Sequence, residues 1–321
     1  MALFISEKDV DRLVSIPDAI QAIAEIFGLS GEGKVINPPR QCVSLPTGTL
    51  RITSAIVPPL ARMAVKISST LIFKSNSGRL LILSDTETGR ILALIEVFQM
   101  GALRTGAASG VATQLLARSD CKTVGVFGSG RQARTQVMAI ASVRKLEQVL
   151  ALSPNRVHLK TFCNEMEQRI GCSVIPAHSA EELGKSDIII SATTSKEPVI
   201  FGSWLQDGTH INAIGSNALD RRELDDEAIK RCALIAVDNR EQAKQESAEL
   251  VRAVAAGNLR WEQVLEIGEI AAGRVSGRAD NKSITLFKSL GVAMEDVALA
   301  SKVYELAVQH GVGLEVPLTQ D

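Results

Sequence analysis

A glycine-rich turn lies near the middle of the chain, in Gly128-Ser-Gly-Arg-Gln-Ala133. The apolar run 123–127 before it is typical of a buried strand, and residues 131–141 after it have a helical pattern. In a G-x-G-x-x-A turn, the first glycine permits the tight strand-to-helix turn and the second lets the backbone approach a pyrophosphate. The small third residue lets the helix pack on the strand, and the helix N-terminus offers N–H groups to the anion. The sequence therefore predicts a dinucleotide site at Gly128, Gly130 and Ala133.

The position that reads the ribose of a dinucleotide follows the second strand, about 20 residues after the glycine turn. Here that place holds Ser153-Pro-Asn-Arg156, which has no carboxylate for a ribose 2′-hydroxyl. Arg156 can instead meet a 2′-phosphate, so the sequence favours NADP(H) over NAD(H). The alternative is that Arg156 is a solvated loop charge.

Three basic residues stand among apolar neighbours in the first third of the chain: Arg40, Lys66 and Arg104. A single charge inside an apolar element is costly unless it is paired with an anion. An arginine binds a carboxylate through two parallel hydrogen bonds, and a lysine with a shifted pKa can transfer a proton. The alternative is that each of the three pairs with a structural Asp or Glu.

The composition of the 321 residues narrows the class of function. A net charge of -1 gives no basic footprint for nucleic acid, and the apolar runs are too short for a membrane helix or a signal peptide. Five scattered cysteines fit reduced thiols and a cytoplasmic location better than a disulfide framework. The four histidines are isolated, so no metal site is expected.

Strands and helices are predicted from apolar periodicity and from turn and cap signals. In the first part of the chain we expect a helix at 15–27, strands at 50–56, 63–67, 80–83 and 91–97, and a helix at 99–117 whose small residues indicate close packing. The strands at 80–83 and 91–97, joined by a polar turn around Gly89, are predicted to form an antiparallel hairpin.

From residue 116 onward, strands and helices alternate. After the glycine turn we expect strands at 148–152, 173–175, 187–192, 210–214 and 234–237, and helices at 162–170, 180–184, 241–256, 261–267, 283–290 and 292–309. This rhythm predicts an α/β fold with a doubly wound, Rossmann-type parallel sheet at 114–295. Residues 1–113 and 296–321 are assigned to a substrate-binding and dimerisation domain of mixed α+β type, to which the last helix returns.

Five stretches, in order along most of the chain, resemble the ornithine cyclodeaminase/μ-crystallin family. They are Ala102-Leu-Arg-Thr-Gly-Ala-Ala-Ser109 and residues 124–133, 211–217, 222–225 and 285–296. The resemblance implies a Rossmann domain inserted into a substrate-binding and dimerisation domain, a nicotinamide cofactor and a homodimer.

The resemblance also implies roles for individual residues. Arg40, Lys66 and Arg104 match positions that hold the substrate carboxylate and handle a proton, Lys66 and Arg104 being the catalytic candidates. Arg131 and Gln132 match residues that face the pyrophosphate, and Lys288 and Ser289 match residues near the nicotinamide. The other residues implied at the cofactor are Thr105, Ser129, Ser153, Asn155, Arg156, Thr193, Thr194, Ala213, Ile214 and Gly215.

Two positions depart from the family pattern. Asn217, implied at the substrate, stands where cyclodeaminases carry an aspartate that acts as a base, and an amide cannot accept that proton. The segment 67–80 is shorter than usual and lacks a Pro-x-Asn element. The first departure argues against water-activating deamination, and the second indicates a different substrate wall.

These observations lead to one leading hypothesis and three alternatives. The leading one is NAD(P)H-dependent reduction of an α-imino acid, such as a cyclic ketimine of the pyrroline-2-carboxylate type. Arg40 and Arg104 would hold the carboxylate, and Lys66 would donate the proton or make a second carboxylate contact. The alternatives are an amino-acid dehydrogenase of the alanine type, an ornithine cyclodeaminase, which Asn217 disfavours, and an NADPH-binding protein without turnover.

Overall fold

The computed structural model describes residues 1–46, 48–69 and 79–318, so most of the predicted short segment 67–80 lies outside the described residues. The helices are Glu7–Leu13 (α1), Ile16–Gly31 (α2), Phe98–Leu116 (α3), Arg131–Val143 (α4), Arg156–Ile170 (α5), Ala180–Gly184 (α6), Asp226–Arg231 (α7), Arg240–Glu246 (α8), Ala248–Ala255 (α9), Ile267–Ala271 (α10) and Ala293–His310 (α11). The strands are Ala2–Ile5 (β1), Gln41–Leu45 (β2), Gly48–Val57 (β3), Arg62–Ser69 (β4), Arg79–Asp85 (β5), Ile91–Glu96 (β6), Thr123–Phe127 (β7), Gln148–Leu152 (β8), Ser173–Pro176 (β9), Ile188–Ser191 (β10), His210–Ala213 (β11), Cys232–Val237 (β12), Val264–Glu266 (β13), Ile284–Lys288 (β14) and Leu314–Val316 (β15).

The chain divides into two compact units. The mixed unit contains Met1–Arg104 and Gly291–Asp321, and the parallel unit contains Thr105–Leu290. The chain passes between them within α3 and directly after Leu290, a few residues before the predicted boundaries at 113/114 and 295/296.

The mixed unit is built on a seven-stranded sheet of order β15-β1-β6-β5-β4-β3-β2. Only β1 and β6 run parallel, and the predicted hairpin around Gly89 is confirmed as the antiparallel pair β5–β6. Helices α2 and α11 pack against each other, and α11 also lies on β3 and β4. The chain ends thus complete one layered unit of sheet and helix.

Helix α2 begins where the sequence predicts. The Ser15 side chain accepts a hydrogen bond from the Asp18 backbone N–H, and Pro17 lies in the first turn. The helix does not end at Gly28 as predicted but continues to Gly31. Burial of the last turns explains this extension, since Phe27 and Gly31 are both buried.

The parallel unit confirms the predicted Rossmann-type architecture. Its eight strands follow the order β13-β12-β14-β11-β10-β7-β8-β9, and every pair is parallel. Alternate residues of β7 serve different cores: Val124 and Val126 pack with α4 and α5, whereas Phe127 packs with α7 and α9. Helices therefore cover both faces of the sheet, as parallel sheets require.

Close packing of the small-residue helix is also confirmed. A Cβ atom on Gly106 of α3 would lie 2.5 Å from the backbone O of Thr135 in α4. Only a residue without a side chain lets these two helices approach so closely.

The prediction of a helix at 283–290 is wrong, because this segment forms β14 between β11 and β12. All five of its residues, from Ile284 to Lys288, are buried. A short, continuously apolar run has no polar face, so its periodicity does not separate a buried strand from a buried helix. Pairing on both sides determines the outcome.

Two further helix predictions need correction. At 261–267 the chain forms a single 3-10 turn and then β13, which adds to the sheet beside β12. At 241–256 one predicted helix is two, α8 and α9, separated at Ser247, whose φ of -92° and ψ of 97° are extended rather than helical.

Among the residues that the structure describes, no single helix is both long and apolar enough to cross a membrane. The bent pair formed by α1 and α2 meets this length and composition test when its two helices are taken together.

One buried histidine of the parallel sheet makes its stability depend on pH. His210 in β11 is fully buried, with Nδ1 2.9 Å from Thr285 Oγ1 and Nε2 3.3 Å from Asn212 Oδ1. Burial, with the nearby Arg278 guanidinium, lowers the pKa of His210 from 6.5 to about 3. The neutral ring is therefore the form that the folded protein retains.

Acid should destabilise the protein through this residue. The unfolded chain binds the proton below its ordinary pKa, so the contribution is complete above about pH 6.5 and decreases as the pH falls toward about 3. Between pH 7 and pH 5 this costs about 2 kcal/mol. We expect His210→Gln to reduce the loss of unfolding free energy over that interval, measured by urea denaturation. The exposed His158→Gln should leave the loss unchanged; an unaltered pH dependence in His210→Gln would contradict the assignment.

Candidate active site

The three cations predicted for the substrate come from separate elements of the mixed unit. Arg40 directly precedes β2, Lys66 lies in β4 and Arg104 lies in α3. Lys66 Nζ is paired with the Asp296 carboxylate. Arg104 Nη1 lies 2.8 Å from Glu295 Oε2, and its Nε lies 3.3 Å from Asp296 Oδ1. Lys66 and Arg104 thus pair with carboxylates of the protein, which is the alternative that the sequence left open. The two cations and the two acids form one charged cluster.

The backbone before α11 holds the two arginines. Arg40 Nη2 donates to the Gly291 carbonyl O at 3.0 Å. Gly291 has a φ of +75°, and a Cβ atom there would lie 2.5 Å from Arg104 Nη1. The N-cap residue of α11 makes no side-chain hydrogen bond, but Asn37 Oδ1 accepts from the Met294 N–H at 2.8 Å. A glycine and a distant asparagine therefore shape the start of this helix.

Glu295 and Asp296, in the first turn of α11, are fully buried. Carboxylates at a helix N-terminus are stabilised by the helix dipole, and buried charges require partners. Sequence reasoning did not assign a role to either acid. The available signal was an acidic pair at the start of an otherwise apolar helix.

The charges of this cluster shift each other's protonation. Burial, together with the cations Arg104 and Arg40, lowers the pKa of Lys66, and Asp296 only partly offsets this. Burial raises the pKa of Asp296, but Lys66 and Arg104 outweigh that effect and bring it below its ordinary value. Asp296 is therefore ionised, and Lys66 releases a proton more readily than an exposed lysine. The arrangement can bind an anion and donate a proton.

The glycine turn of the parallel unit has the geometry that a pyrophosphate requires. Gly128 has a φ of +110°, and a Cβ atom there would lie 2.5 Å from the Ala192 carbonyl O. Gly130 is the N-cap of α4 and provides no capping side chain; a Cβ atom there would meet nothing within 4 Å. Open space therefore lies before the first turn of α4, and buried Ala133 lets this helix pack closely on the sheet.

Arg134, which the sequence analysis did not single out, braces this turn. Its Nη1 donates to the carbonyl O of Ser129 at 2.7 Å and of Gly130 at 3.1 Å, while Nε lies 2.7 Å from Glu165. These bonds fix the carbonyl groups of the turn on the side of Arg134.

A second unassigned residue, Glu223, links two strand ends. Its buried carboxylate accepts from Thr193 N and Oγ1 at 2.8 and 2.7 Å and from Gly215 N and Ser216 N at 2.8 and 3.1 Å. It also accepts from Ser191 Oγ at 3.1 Å. Five hydrogen bonds satisfy this carboxylate and fix the segments that follow β10 and β11. The signal in the sequence was its place in the stretch 222–225.

Lys288 and Ser289, predicted to lie near the nicotinamide, contact protein groups of their own unit. Lys288 Nζ donates to the Ser216 carbonyl O at 2.5 Å and lies 3.6 Å from Glu249 Oε1. Ser289 Oγ donates to Asp238 Oδ2 at 3.2 Å. Their contact with a cofactor stays a prediction.

The remaining predicted cofactor residues of the parallel unit lie mostly at the carboxyl edge of its sheet. Buried Thr105, in α3, instead accepts from Gln136 Nε2 of α4 at 2.9 Å. The predicted cofactor residues at or just after the carboxyl ends of β10 and β11 are Thr194, Ala213 and Ile214, and Asn217, predicted at the substrate, also follows β11. Together with the glycine turn after β7, they occupy the edge where parallel sheets bind their ligands.

The predicted ribose-binding residues follow β8. Asn155 is the N-cap of α5, and its Oδ1 accepts from the His158 N–H at 3.0 Å. Arg156, the first residue of α5, is exposed, and Ser153 is half-buried. No group of His, Cys, Asp and Glu among the described residues has the geometry to hold a metal ion.

Comparison with known proteins agrees with this architecture. A model of the ornithine cyclodeaminase/mu-crystallin family matches residues 2–311. The alanine dehydrogenase of Archaeoglobus fulgidus is 36% identical over 321 residues, covering 98% of either chain. A structure of Thermococcus litoralis Δ(1)-pyrroline-2-carboxylate reductase with NADH and L-proline has a TM-score of 0.93 and 38% identity, covering 98% of this chain and 100% of its own. A structure of an archaeal alanine dehydrogenase dimer with bound NAD has a TM-score of 0.93 and 34% identity, and the match covers 98% of this chain and 99% of that chain. The chain belongs to the ornithine cyclodeaminase/mu-crystallin family.

Proposed function

We propose that this protein is a nicotinamide-dependent oxidoreductase that reduces an α-imino acid to the amino acid. The observation that carries the proposal is a buried lysine of lowered pKa, Lys66, held between Asp296 and two arginines. A cationic cluster of this kind suits a substrate that carries a carboxylate and needs a proton. The geometry of the glycine turn and the names of the relatives support the nicotinamide cofactor.

Different residues of the chain have different roles in this reaction. Arg40 and Arg104 bind and orient the substrate carboxylate. Lys66 gives a proton to the imine nitrogen and regains one from solvent, while Asp296 keeps it in place. A reduced nicotinamide, when bound, would supply hydride to the imine carbon. Gly128, Gly130 and the first turn of α4 would hold its pyrophosphate.

Lys66 should be the residue on which turnover depends most. We expect Lys66→Met to lower kcat/KM for imino-acid reduction by about 10²- to 10⁴-fold, the usual contribution of a positioned proton donor. In the unchanged protein, kcat/KM should fall as the pH rises through the Lys66 pKa, because the proton is then lost. The measurement is NADH or NADPH oxidation with Δ1-pyrroline-2-carboxylate and with 2-oxo acids plus ammonium.

Two controls separate catalysis from folding. Lys66→Met combined with Asp296→Asn removes the buried charge that the single change leaves without its lysine, and it should regain stability but not activity. Lys34 is exposed, so Lys34→Met should change neither the stability nor the activity. If the unchanged protein oxidises neither cofactor with any imino acid, the proposed function is wrong.

Three other functions are distinguished by specific observations. Similarity to an alanine dehydrogenase favours the reverse, amino-acid-oxidising direction as a second candidate, and ammonium-dependent use of pyruvate would reveal it. Cyclodeamination is disfavoured because neither of the two acids that follow Asn217, Asp220 and Glu223, is available to replace the missing base. Asp220 pairs with Arg221 on the surface, and Glu223 accepts five hydrogen bonds. Tight cofactor binding without turnover would indicate a binding protein.

We also propose that NADP(H) is preferred, because the segment after β8 offers Arg156 and no acid. The two solved structures named above contain NADH and NAD, so this preference would be a property of this chain. Arg156→Gln should raise KM for NADPH about tenfold through the lost charge-assisted hydrogen bond and leave KM for NADH unchanged. The matched control is Arg169→Gln at the other end of α5. An equal KM for both cofactors in the unchanged protein would refute the preference.

We further propose that the protein is a homodimer and works in the cytoplasm, where its free cysteines stay reduced. Four apolar side chains are exposed on the face of the mixed sheet opposite Lys66. Their exposed fractions are 55% for Val43, 36% for Ile56, 39% for Val65 and 42% for Ile67. Exposed apolar patches of this kind mark interfaces.

Placing a charge on this face should separate the subunits. Val65→Lys is expected to yield a monomer in light scattering, because an unpaired ammonium group would be buried in the interface. Val157→Lys introduces the same charge at an exposed valine of α5 and should leave the oligomer intact. A monomeric unchanged protein would exclude the dimer.

A further inference from the structure

Two arginines of the mixed sheet form a row across three strands. In the strand register Arg51 pairs with Ser68, and Ser68 pairs with Arg79. Directly opposed residues point to the same face of a sheet, so both guanidinium groups lie on one face. Their strands, β3 and β5, are about 10 Å apart, which long side chains can bridge from both sides.

This row lies next to the candidate active site. Lys66 is two residues before Ser68 on β4, and side chains two apart point to the same face. Its own row pairs it with Thr53 and Leu81. The rows are separated by about 7 Å, the rise of two strand residues.

The guanidinium groups of Arg51 and Arg79 have no directly paired carboxylate among the described residues. Within the described parts of the chain, neither forms an ion pair, and the Nε atoms of both are buried without a hydrogen-bond partner. Arg79 lies over the Phe98 ring at 5.4 Å from its centroid. Burial and the neighbouring Arg51 charge lower the pKa of Arg79, and Glu7 acts in the opposite direction. Two half-buried guanidinium groups near each other are costly unless an anion joins them.

The balance of charges in the whole cluster also indicates that it binds an anion. The cations are Arg40, Arg51, Lys66, Arg79 and Arg104. The acids paired with them or next to them are Glu7, Glu295 and Asp296. Among the described residues of this cluster, five cations and three acids leave an excess of two positive charges. An α-carboxylate neutralises one of these, and a second anionic group of the same substrate would neutralise the other.

We propose that Arg51 and Arg79 form a second anion-binding subsite, so that the preferred substrate is a 2-imino dicarboxylic acid. The inference rests on the proposed function and names its substrate class. A side chain of one or two methylenes spans the distance between the two rows while the α-carboxylate stays with Arg40 and Arg104. In the reaction the imine carbon gains the hydride and its nitrogen gains the proton, while the distal carboxylate is unchanged.

The unchanged protein provides the first test. Oxidation of NADPH and NADH is followed with ammonium plus oxaloacetate or 2-oxoglutarate, and with ammonium plus pyruvate or 2-oxobutyrate. Preformed Δ1-pyrroline-2-carboxylate is compared with both, and reactions without ammonium correct for direct reduction of the oxo acids. We expect kcat/KM to be at least tenfold higher for the dicarboxylic substrates than for the neutral ones, which carry the α-carboxylate but have an uncharged side chain. Equal or higher values for the neutral substrates would overturn the inference.

Arginine replacements provide the second test. Arg51→Gln and Arg79→Gln should each lower kcat/KM for the dicarboxylic substrates at least tenfold and leave that for neutral substrates within threefold. The exposed Arg12→Gln should alter neither. A loss shared equally by both substrate classes would show a structural role and contradict the subsite. Melting temperatures establish that the variants fold.

A binding measurement separates failure of this inference from failure of the proposed function. Succinate should raise the melting temperature of the unchanged protein more than butyrate does, and not that of the double variant Arg51→Gln/Arg79→Gln. If no imino acid is reduced but succinate behaves in this way, the function is wrong and the subsite stands. If neutral imino acids are reduced but succinate binds no better than butyrate, the function stands and the subsite is wrong.

Discussion

The mixed unit depends on the burial of two carboxylates, Glu295 and Asp296, at the start of α11. Without them, Lys66 and Arg104 would be cations inside an apolar sheet-and-helix layer, at a cost that no hydrophobic contact offsets. With them, the cations are fixed in place and the cluster remains positive because it has more cations than acids. The pairing that compensates these buried cations therefore leaves a residual positive charge for an anionic ligand.

The parallel unit also buries a carboxylate, but there the hydrogen-bond donors are uncharged groups. Glu223 is a buried carboxylate to which no cation of the described residues is paired, yet hydroxyl and backbone N–H groups satisfy it. Close packing supports this arrangement, because a Cβ atom on Gly215 would lie 2.4 Å from Glu223 Oε1. The loops at the carboxyl edge of the sheet are thereby fixed before any ligand arrives, which reduces the entropy lost on binding.

Local signals in the sequence predicted a large part of this structure. The glycine turn, the capped start of α2 and the β5–β6 hairpin each depend on nearby residues, so short-range patterns sufficed. The cations Arg40, Lys66 and Arg104 were found because a charge is unusual in an apolar segment. The carboxylates that pair with Lys66 and Arg104 are 230 and 191 residues away in the sequence, and spacing carries no information about such pairing. Strand β14 was missed for the same reason, since neighbours distant in sequence, rather than its own periodicity, make it a strand.

The division of the mixed unit between the two ends of the chain has a consequence for synthesis on the ribosome. Helix α11 supplies the carboxylates for Lys66 and Arg104, and Asn37 caps that helix from the other end of the sequence. The parallel unit, Thr105–Leu290, is continuous and has all its strands before α11 is translated. Lys66 and Arg104 are therefore synthesised 230 and 191 residues before the carboxylates that pair with them, so the mixed unit gains these buried ion pairs only after α11 has been made. A chain without α11 would leave Lys66 and Arg104 without these carboxylates, so loss of this one helix should damage the mixed unit far more than its length suggests.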